Sequence, residues 1–234
     1  MLMLSVDSSA APASVCLSDD GRIIGEFYLN TGFTHSQTLM AMVESVLKIS
    51  GKAASDIDVY AVNSGPGSFT GVRIGVSAVK GMAYASDKPC IAVSTLESMA
   101  YNLLGGHAVV CACMDARRQQ VYNAVFRLDG EMITRLCDDR AISVADLLEE
   151  LGDYDEEIVL VGDGAALVYA SADNEHIRLA PESTRYQRAS STASAALEAY
   201  KRGEVISPAA LMPSYLRLSQ AERERKEKEK GTEI

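Results

Sequence analysis

The chain has 234 residues and a net charge of −10, and its 47% hydrophobic content is enough to bury a good core as one large domain or two small lobes. The acidic balance argues against a broad basic surface for nucleic acid, though it leaves room for a local basic patch or for a partner that holds the RNA. No apolar run is long enough to span a bilayer, the start Met1-Leu2-Met3-Leu4-Ser5-Val6 meets Asp7 without a basic signal region, and five cysteines point to free thiols in a reducing compartment, so a cytoplasmic protein is expected.

Residues 2–6 alternate weakly and predict a strand that ends at Asp7-Ser8-Ser9, ahead of a small polar turn. Residues 14–18 predict a second strand, Asp19-Asp20-Gly21 a hairpin turn, and Arg22–Leu29 a third strand. Thr34 is placed to cap a helix that runs to about Ile49 and stops at Gly51. At about 100° per residue, Leu39, Val43 and Val46 mark the centre of its apolar face. Met42 and Ile49 lie on one flank, Met40 and Leu47 on the other. That arc is wider than the stripe expected for docking on one sheet.

Residues 59–62 form an apolar strand-like run that leads into Ser64-Gly65-Pro66-Gly67-Ser68-Phe69-Thr70-Gly71-Val72-Arg73-Ile74-Gly75. Helical spacing then continues through Val76, Val79, Met82 and Ala83. A glycine-rich turn thus joins a buried strand to a helix N-terminus, whose free N–H groups can bind an anion. The loop lacks the Lys-Ser or Lys-Thr of a P-loop, and it contains no G-x-S-x-G. It holds a phosphate, holds a partner, or only turns the chain. The helix after it is apolar on two sides. Val72, Val76, Val79 and Ala83 lie on one, Ile74, Ala78 and Ala85 on the other, with Arg73, Ser77, Lys80 and Tyr84 between. Either the two helices pack on each other and on a sheet, or a spare face binds another subunit.

Residues 90–93 predict a strand, and Ser94 or Thr95 caps the next helix. Gly105-Gly106 marks a lobe boundary. A second meander follows at 108–114, 120–128 and 131–137, with Asp129-Gly130 as a hairpin turn. Ser143 caps a helix to Leu151. Ile158–Val161 is a strand ending in Gly162-Asp163-Gly164-Ala165, and a short helix follows. A last helix covers about 192–201. A strand meander plus strand–helix units therefore occurs twice, which predicts a structural duplication. Three segments follow: a lobe at 1–106 carrying the two long helices, a lobe at 107–218 whose last helix could return to the first, and a charged tail at 219–234.

Asp7, Ser8 and Ser9 at a strand end could contact a phosphate or magnesium, or could simply form an Asx turn. Asp115-Ala116-Arg117-Arg118 ends the first strand of the second lobe in the same place, and its arginines could bind phosphate or pair on the surface. Gly162 and Gly164 precede a helix and could accept a nucleotide or merely turn. His35 has Leu39 one helical turn on, where a metal site needs a second histidine. Cys111 and Cys113 share a strand face and read as small core residues. These features leave no required cofactor and no metal site, with residual ATP or ADP binding open.

Taken in order, Asp7-Ser8-Ser9, His35-Ser36, the loop from Ser64 to Gly75, Asp115-Ala116-Arg117-Arg118, Val121-Tyr122, Gly162-Asp163-Gly164 and Pro213-Ser214-Tyr215-Leu216-Arg217 with Ala221-Glu222 resemble a known family. It is the bacterial tRNA threonylcarbamoyladenosine biosynthesis family TsaB, formerly YeaZ. The resemblance implies an α/β, two-lobed, actin-like or Hsp70-like fold of the sugar-kinase type, related to ribonuclease H, with duplicated mixed sheets flanked by helices. It implies a non-catalytic subunit that pairs with the paralogous catalytic subunit TsaD and with the ATPase TsaE. That assembly transfers threonylcarbamoyl from its adenylate to N6 of the adenosine next to the anticodon, in tRNAs reading codons that begin with A. Such subunits dock, and self-associate as homodimers, through the two long helices. The residues this implies for docking here are His35, Leu39, Met40, Val43 and Leu47 on the first helix. On the second they are Val72, Val76, Val79, Lys80 and Ala83. The resemblance also implies that tRNA contact comes mainly through the complex. The rival readings are an ATP-binding phosphotransferase or hydrolase using Asp7, Asp115 and the Gly162 turn, and, more weakly, a metallopeptidase suggested by old family names.

Overall fold

The structure, a computed structural model, describes residues 1–217. Two mixed sheets are built on the same plan. In the first, β1 (Leu2–Asp7), β2 (Ala13–Asp19) and β3 (Arg22–Leu29) form an antiparallel meander. Then β4 (Val59–Gly65) and β5 (Cys90–Ser94) add in parallel beyond β1, giving the order β3-β2-β1-β4-β5. In the second, β6 (His107–Asp115), β7 (Gln120–Asp129) and β8 (Met132–Arg135) are the meander, while β10 (Ile158–Val161) and β11 (Ile177–Leu179) are the parallel additions. Read from the meander outward, the second order is β8-β7-β6-β10-β11, a match strand for strand. A further short strand, β9 (Arg140–Ser143), pairs with the other end of β7. This is the duplicated, two-lobed actin-like architecture.

Each central strand is buried on both faces, which is why residues 2–6 alternate so weakly. One face of the first sheet packs on α1 (His35–Ile49) and α2 (Phe69–Ser86), the other on α7 (Ala189–Lys201). One face of the second sheet packs on α3 (Thr95–Ala100), the other on α4 (Val144–Leu151) and α5 (Ala165–Tyr169). The lobes therefore exchange helices across Gly105-Gly106. Leu96, Met99 and Ala100 of α3 join Val110, Ala112 and Phe126, whereas Ala193, Ala196 and Ala199 of α7 join Met3, Cys16 and Ile91.

Several boundaries move for physical reasons. Helix α7 begins at Ala189, not 192, because Ser14 Oγ accepts from Ala189 N at 2.7 Å and Glu26 Oε1 from Ser190 N at 2.9 Å. Its cap thus comes from the other end of the chain. Helix α2 begins at Phe69, where Ser68 Oγ caps Gly71 N. Thr34 occupies the N-cap of α1, but its hydroxyl meets the side chains of Ser36 and Gln37 rather than a backbone N–H. Strands β9 and β11, and the short helix α6 (Glu182–Arg185), carry too few apolar residues to stand out in sequence. The predicted tail at 219–234, with Ala221-Glu222, lies outside the described residues.

The apolar faces of α1 and α2 need one correction. Leu39, Val43, Val72, Val76, Val79 and Ala83, expected to meet a partner, are at most 3% exposed and lie in the core against the first sheet. The centre of each arc is what seats the helix, and each such Leu or Val side chain contributes about 1.5–3 kcal/mol through burial. Lys80 is also engaged, its Nζ donating to Ala209 O at 3.0 Å and Leu211 O at 3.2 Å. What remains outward is Met40 and Ile49, on opposite flanks of α1, and Tyr84 on α2, all exposed, while Leu47, Ile74, Ala78 and Met82 are half-buried. Urea unfolding separates the two classes: Leu39→Ala costs about 2–5 kcal/mol, whereas Met40→Ala stays within about 0.5 kcal/mol of wild type. Equal losses at both positions would contradict this division.

Candidate functional site

A cleft of about 710 Å³ runs between the lobes. The first lobe contributes Ser9, His35 and the 66–71 loop to its lining, and the second contributes Met114, Asp115, Tyr122 and Asp163. Tyr215 and Arg217, near the end of the described chain, close one side.

Under the cleft the first strand ends on α2. Ser9 O accepts from Ser68 N at 2.6 Å, and Ser8 Oγ donates to Gly71 O at 2.8 Å. A Cβ on Gly67 would stand 2.4 Å from Ser9 O, and one on Gly71 would stand 2.1 Å from Ser8 O. Neither separation is possible between real atoms, so these glycines exist for backbone contact. The loop from Ser64 to Gly75 is therefore bound to the chain's own first strand.

Asp7 is buried, and both its carboxylate oxygens are engaged. Oδ1 accepts from Ser9 N at 2.8 Å and Ser9 Oγ at 2.7 Å, which closes an Asx turn, and Oδ2 accepts from Asn63 Nδ2 at 2.8 Å. Asn63 Nδ2 also lies 3.2 Å from Ser98 Oγ, which in turn lies 3.3 Å from Thr192 Oγ1. One buried polar chain thus joins β1, β4, α3 and α7. Asn63, Ser98 and Thr192 were not singled out in sequence, because a lone polar residue in an apolar run carries no local signal. Burial pushes the Asp7 carboxyl above its ordinary value, against opposing hydrogen bonds from Ser9 and Asn63.

The other candidates are also occupied by neighbours. Asp115 accepts from Arg117 N at 2.7 Å and closes its own turn. Gly162 N donates to Arg185 O at 2.7 Å, and Gly164 N to Cys113 O at 3.0 Å. A Cβ on Gly162 would lie 2.0 Å from Cys113 O, so this turn too is built for close packing on β6. Asp163 is raised by burial, with Gln187 Nε2 3.5 Å away. His35 Nε2 sits 2.8 Å from Ala10 O, and its Nδ1 is buried without a partner. Leu39, one turn on, lies inside the core. Cys111 and Cys113 stand with sulfurs 3.4 Å apart in the second lobe's core. Among the described residues no group of three or more His, Cys, Asp or Glu is arranged to hold a metal, and no helix is long and apolar enough to cross a membrane.

Comparison with known proteins settles the family. The family model described as "TsaD: tRNA N6-adenosine threonylcarbamoyltransferase" matches residues 31–225. The chain is 32% identical over 167 residues to the tRNA threonylcarbamoyladenosine biosynthesis protein TsaB of Bacillus subtilis, covering 71% of this chain and 73% of that one. It is 35% identical over 167 residues to TsaB of Escherichia coli, covering 70% and 72%. The chain belongs to the TsaB family. A solved structure, YeaZ from Pseudomonas aeruginosa, superimposes with a TM-score of 0.79 at 28% identity, over 92% of this chain and 99% of that one. The TsaB-like stretches quoted above fall where the lobes meet: the first-strand turn, the glycine loop, the Asp115 turn and the segment around Tyr215 all line the cleft or lie beneath it.

The Asp7 environment has a pH signature. Its folded pKa is raised, so between the ordinary carboxylate range and the raised value the native state holds more protons than the unfolded chain. The contribution of Asp7 to stability therefore falls as pH rises through that window. In urea unfolding at several pH values, the stability of Asp7→Asn relative to wild type is expected to improve as pH increases above about 4. A difference independent of pH would contradict it.

Proposed function

We propose that this TsaB-family protein is a non-catalytic scaffold and activator in the synthesis of threonylcarbamoyladenosine in tRNA. Its partner is a TsaD-like catalytic subunit, and a TsaE-like ATPase joins the assembly. The reaction served is transfer of threonylcarbamoyl from its adenylate to N6 of the adenosine beside the anticodon. The complex supplies most of the tRNA contact, consistent with a net charge of −10 on this chain. No cofactor is required of this subunit, whether or not ATP or ADP still enters the cleft. The setting is the cytoplasm.

The observation that carries this reading is the outer face of the α1–α2 pair. Met40 on α1 and Tyr84 on α2 are exposed, Leu47 is half-buried on the Met40 flank of α1, and Ile74, Ala78 and Met82 are half-buried on α2. Exposed apolar and aromatic side chains on a pair of packed helices suit a protein interface. The same face serves for self-association when the catalytic subunit is absent. The hydrogen bonds that saturate Asp7 support the non-catalytic part of the reading.

The test is a pair of surface variants, Met40→Asp and Tyr84→Asp, assayed for pairing with a TsaD-like subunit by calorimetry and for melting temperature. Both are expected to melt like wild type and to bind at least about tenfold more weakly, the loss of one interface hot spot. Unchanged affinity in both variants would contradict docking through this face.

A further inference from the structure

After α7 the chain does not stop in the second lobe. Ile206 pairs with Cys90 on the open edge of β5, through hydrogen bonds of 2.8 and 2.9 Å. The short turn Pro208–Ala210 then packs on α2, and Leu211 is fully buried in the first lobe's core. Ser214 N donates to Ser64 O at 2.7 Å, beside Gly65, whose missing Cβ would fall 2.2 Å from Ser214 O. The Tyr215 ring stacks on Phe69 at 4.7 Å, and its hydroxyl accepts from Arg73 Nε at 2.7 Å. The Arg73 guanidinium covers the other ring at 3.7 Å. Two residues later the chain reaches the second lobe. Arg217 Nη1 donates to Ala116 O at 3.2 Å, Nη2 donates to the Gln120 side chain, and the guanidinium lies 5.9 Å from the Tyr122 ring.

The geometry points to residues 211–217 as an interlobe strap: anchored along α2 by Leu211 and Tyr215 and tied to the β6–β7 turn by Arg217, it holds the cleft closed. A closed state held by a few polar contacts at one end is a two-state element, because that end can release while Leu211 stays seated. Arg217 is the release point. Among the described residues its hydrogen bonds go to one backbone carbonyl and one amide side chain. The link from this strap to partner binding rests on the function proposed above, since the strap lies along α2. The strap itself does not depend on that reading.

Hydrogen exchange on the full chain tests it, with wild type, Arg217→Ala and Tyr215→Ala compared. Arg217→Ala is expected to speed exchange at least tenfold at Gln120 N, which closes the β6–β7 turn, and at Ser9 N and Ser68 N across the cleft, while core amides of β1 and β6 keep their wild-type rates. Tyr215→Ala is expected to add exchange at Ser214 N. Wild-type rates at Gln120, Ser9 and Ser68 in both variants would overturn the strap. So would acceleration spread evenly over the core amides, which would mark general destabilisation. Pairing with a TsaD-like subunit is measured on the same samples. Failure of wild type to pair would count against the proposed function, while the exchange pattern would still decide the strap.

Discussion

The first turn of α2 rests directly on the backbone of Ser8 and Ser9, with no side chain between them. That contact is possible because positions 67 and 71 carry no Cβ. It fixes how deep α2 sits on the first sheet, and so where Val72, Val76 and Val79 enter the core. It also presses the Asp7 turn beneath the loop, where the carboxylate can be satisfied only by Ser9 and Asn63. Asn63 then meets Ser98, and Ser98 meets Thr192, so both exchanged helices register on the same point. A buried polar network of this kind favours one arrangement of the two lobes, although Asn63 Oδ1 in it is buried without a partner.

A glycine-rich turn between a strand and a helix is ready to hold an anion, and the sequence leaves that use open. The structure gives part of its backbone to the chain itself: Ser68 N donates to Ser9 O, and Ser64 O accepts from Ser214 N. The same happens in the second lobe, where the N–H groups of Gly162 and Gly164 meet Arg185 and Cys113. Duplication of the sheets thus extends to duplication of a tight, self-engaged turn beside each central strand. The inner faces of α1 and α2 are occupied in the same sense, and Met40 and Tyr84 are among the side chains left exposed on the two helices.

Much of this was legible in sequence because the signals are local. The hairpin at Asp19-Asp20-Gly21, the cap at Ser143 and the repeated meander depend on residues a few positions apart and appear as read, and of the two caps offered for α3, Ser94 or Thr95, the structure takes Ser94. What was illegible is set by distant partners. Helix α7 starts early because of Ser14 and Glu26. Residues 211–217 look like a plain connector until Leu211 is seen in the first core and Arg217 on the second lobe. The width of the apolar arcs on α1 and α2 was read correctly, but periodicity cannot tell which part of a wide arc seats the helix and which part stays outside. Leu39 and Met40 are adjacent in sequence and opposite in fate.

We propose that this chain works by docking, with its buried carboxylate serving the fold rather than a reaction. The most direct measurement is threonylcarbamoyl transfer to tRNA in a reconstituted mixture, with this chain omitted, present alone, added as wild type, or added as folded Asp7→Asn. The account predicts no transfer by the chain alone, a large gain when it joins its partners, and the same gain with Asp7→Asn. Transfer by the chain alone, or loss of the gain with a folded Asp7→Asn protein, would contradict it.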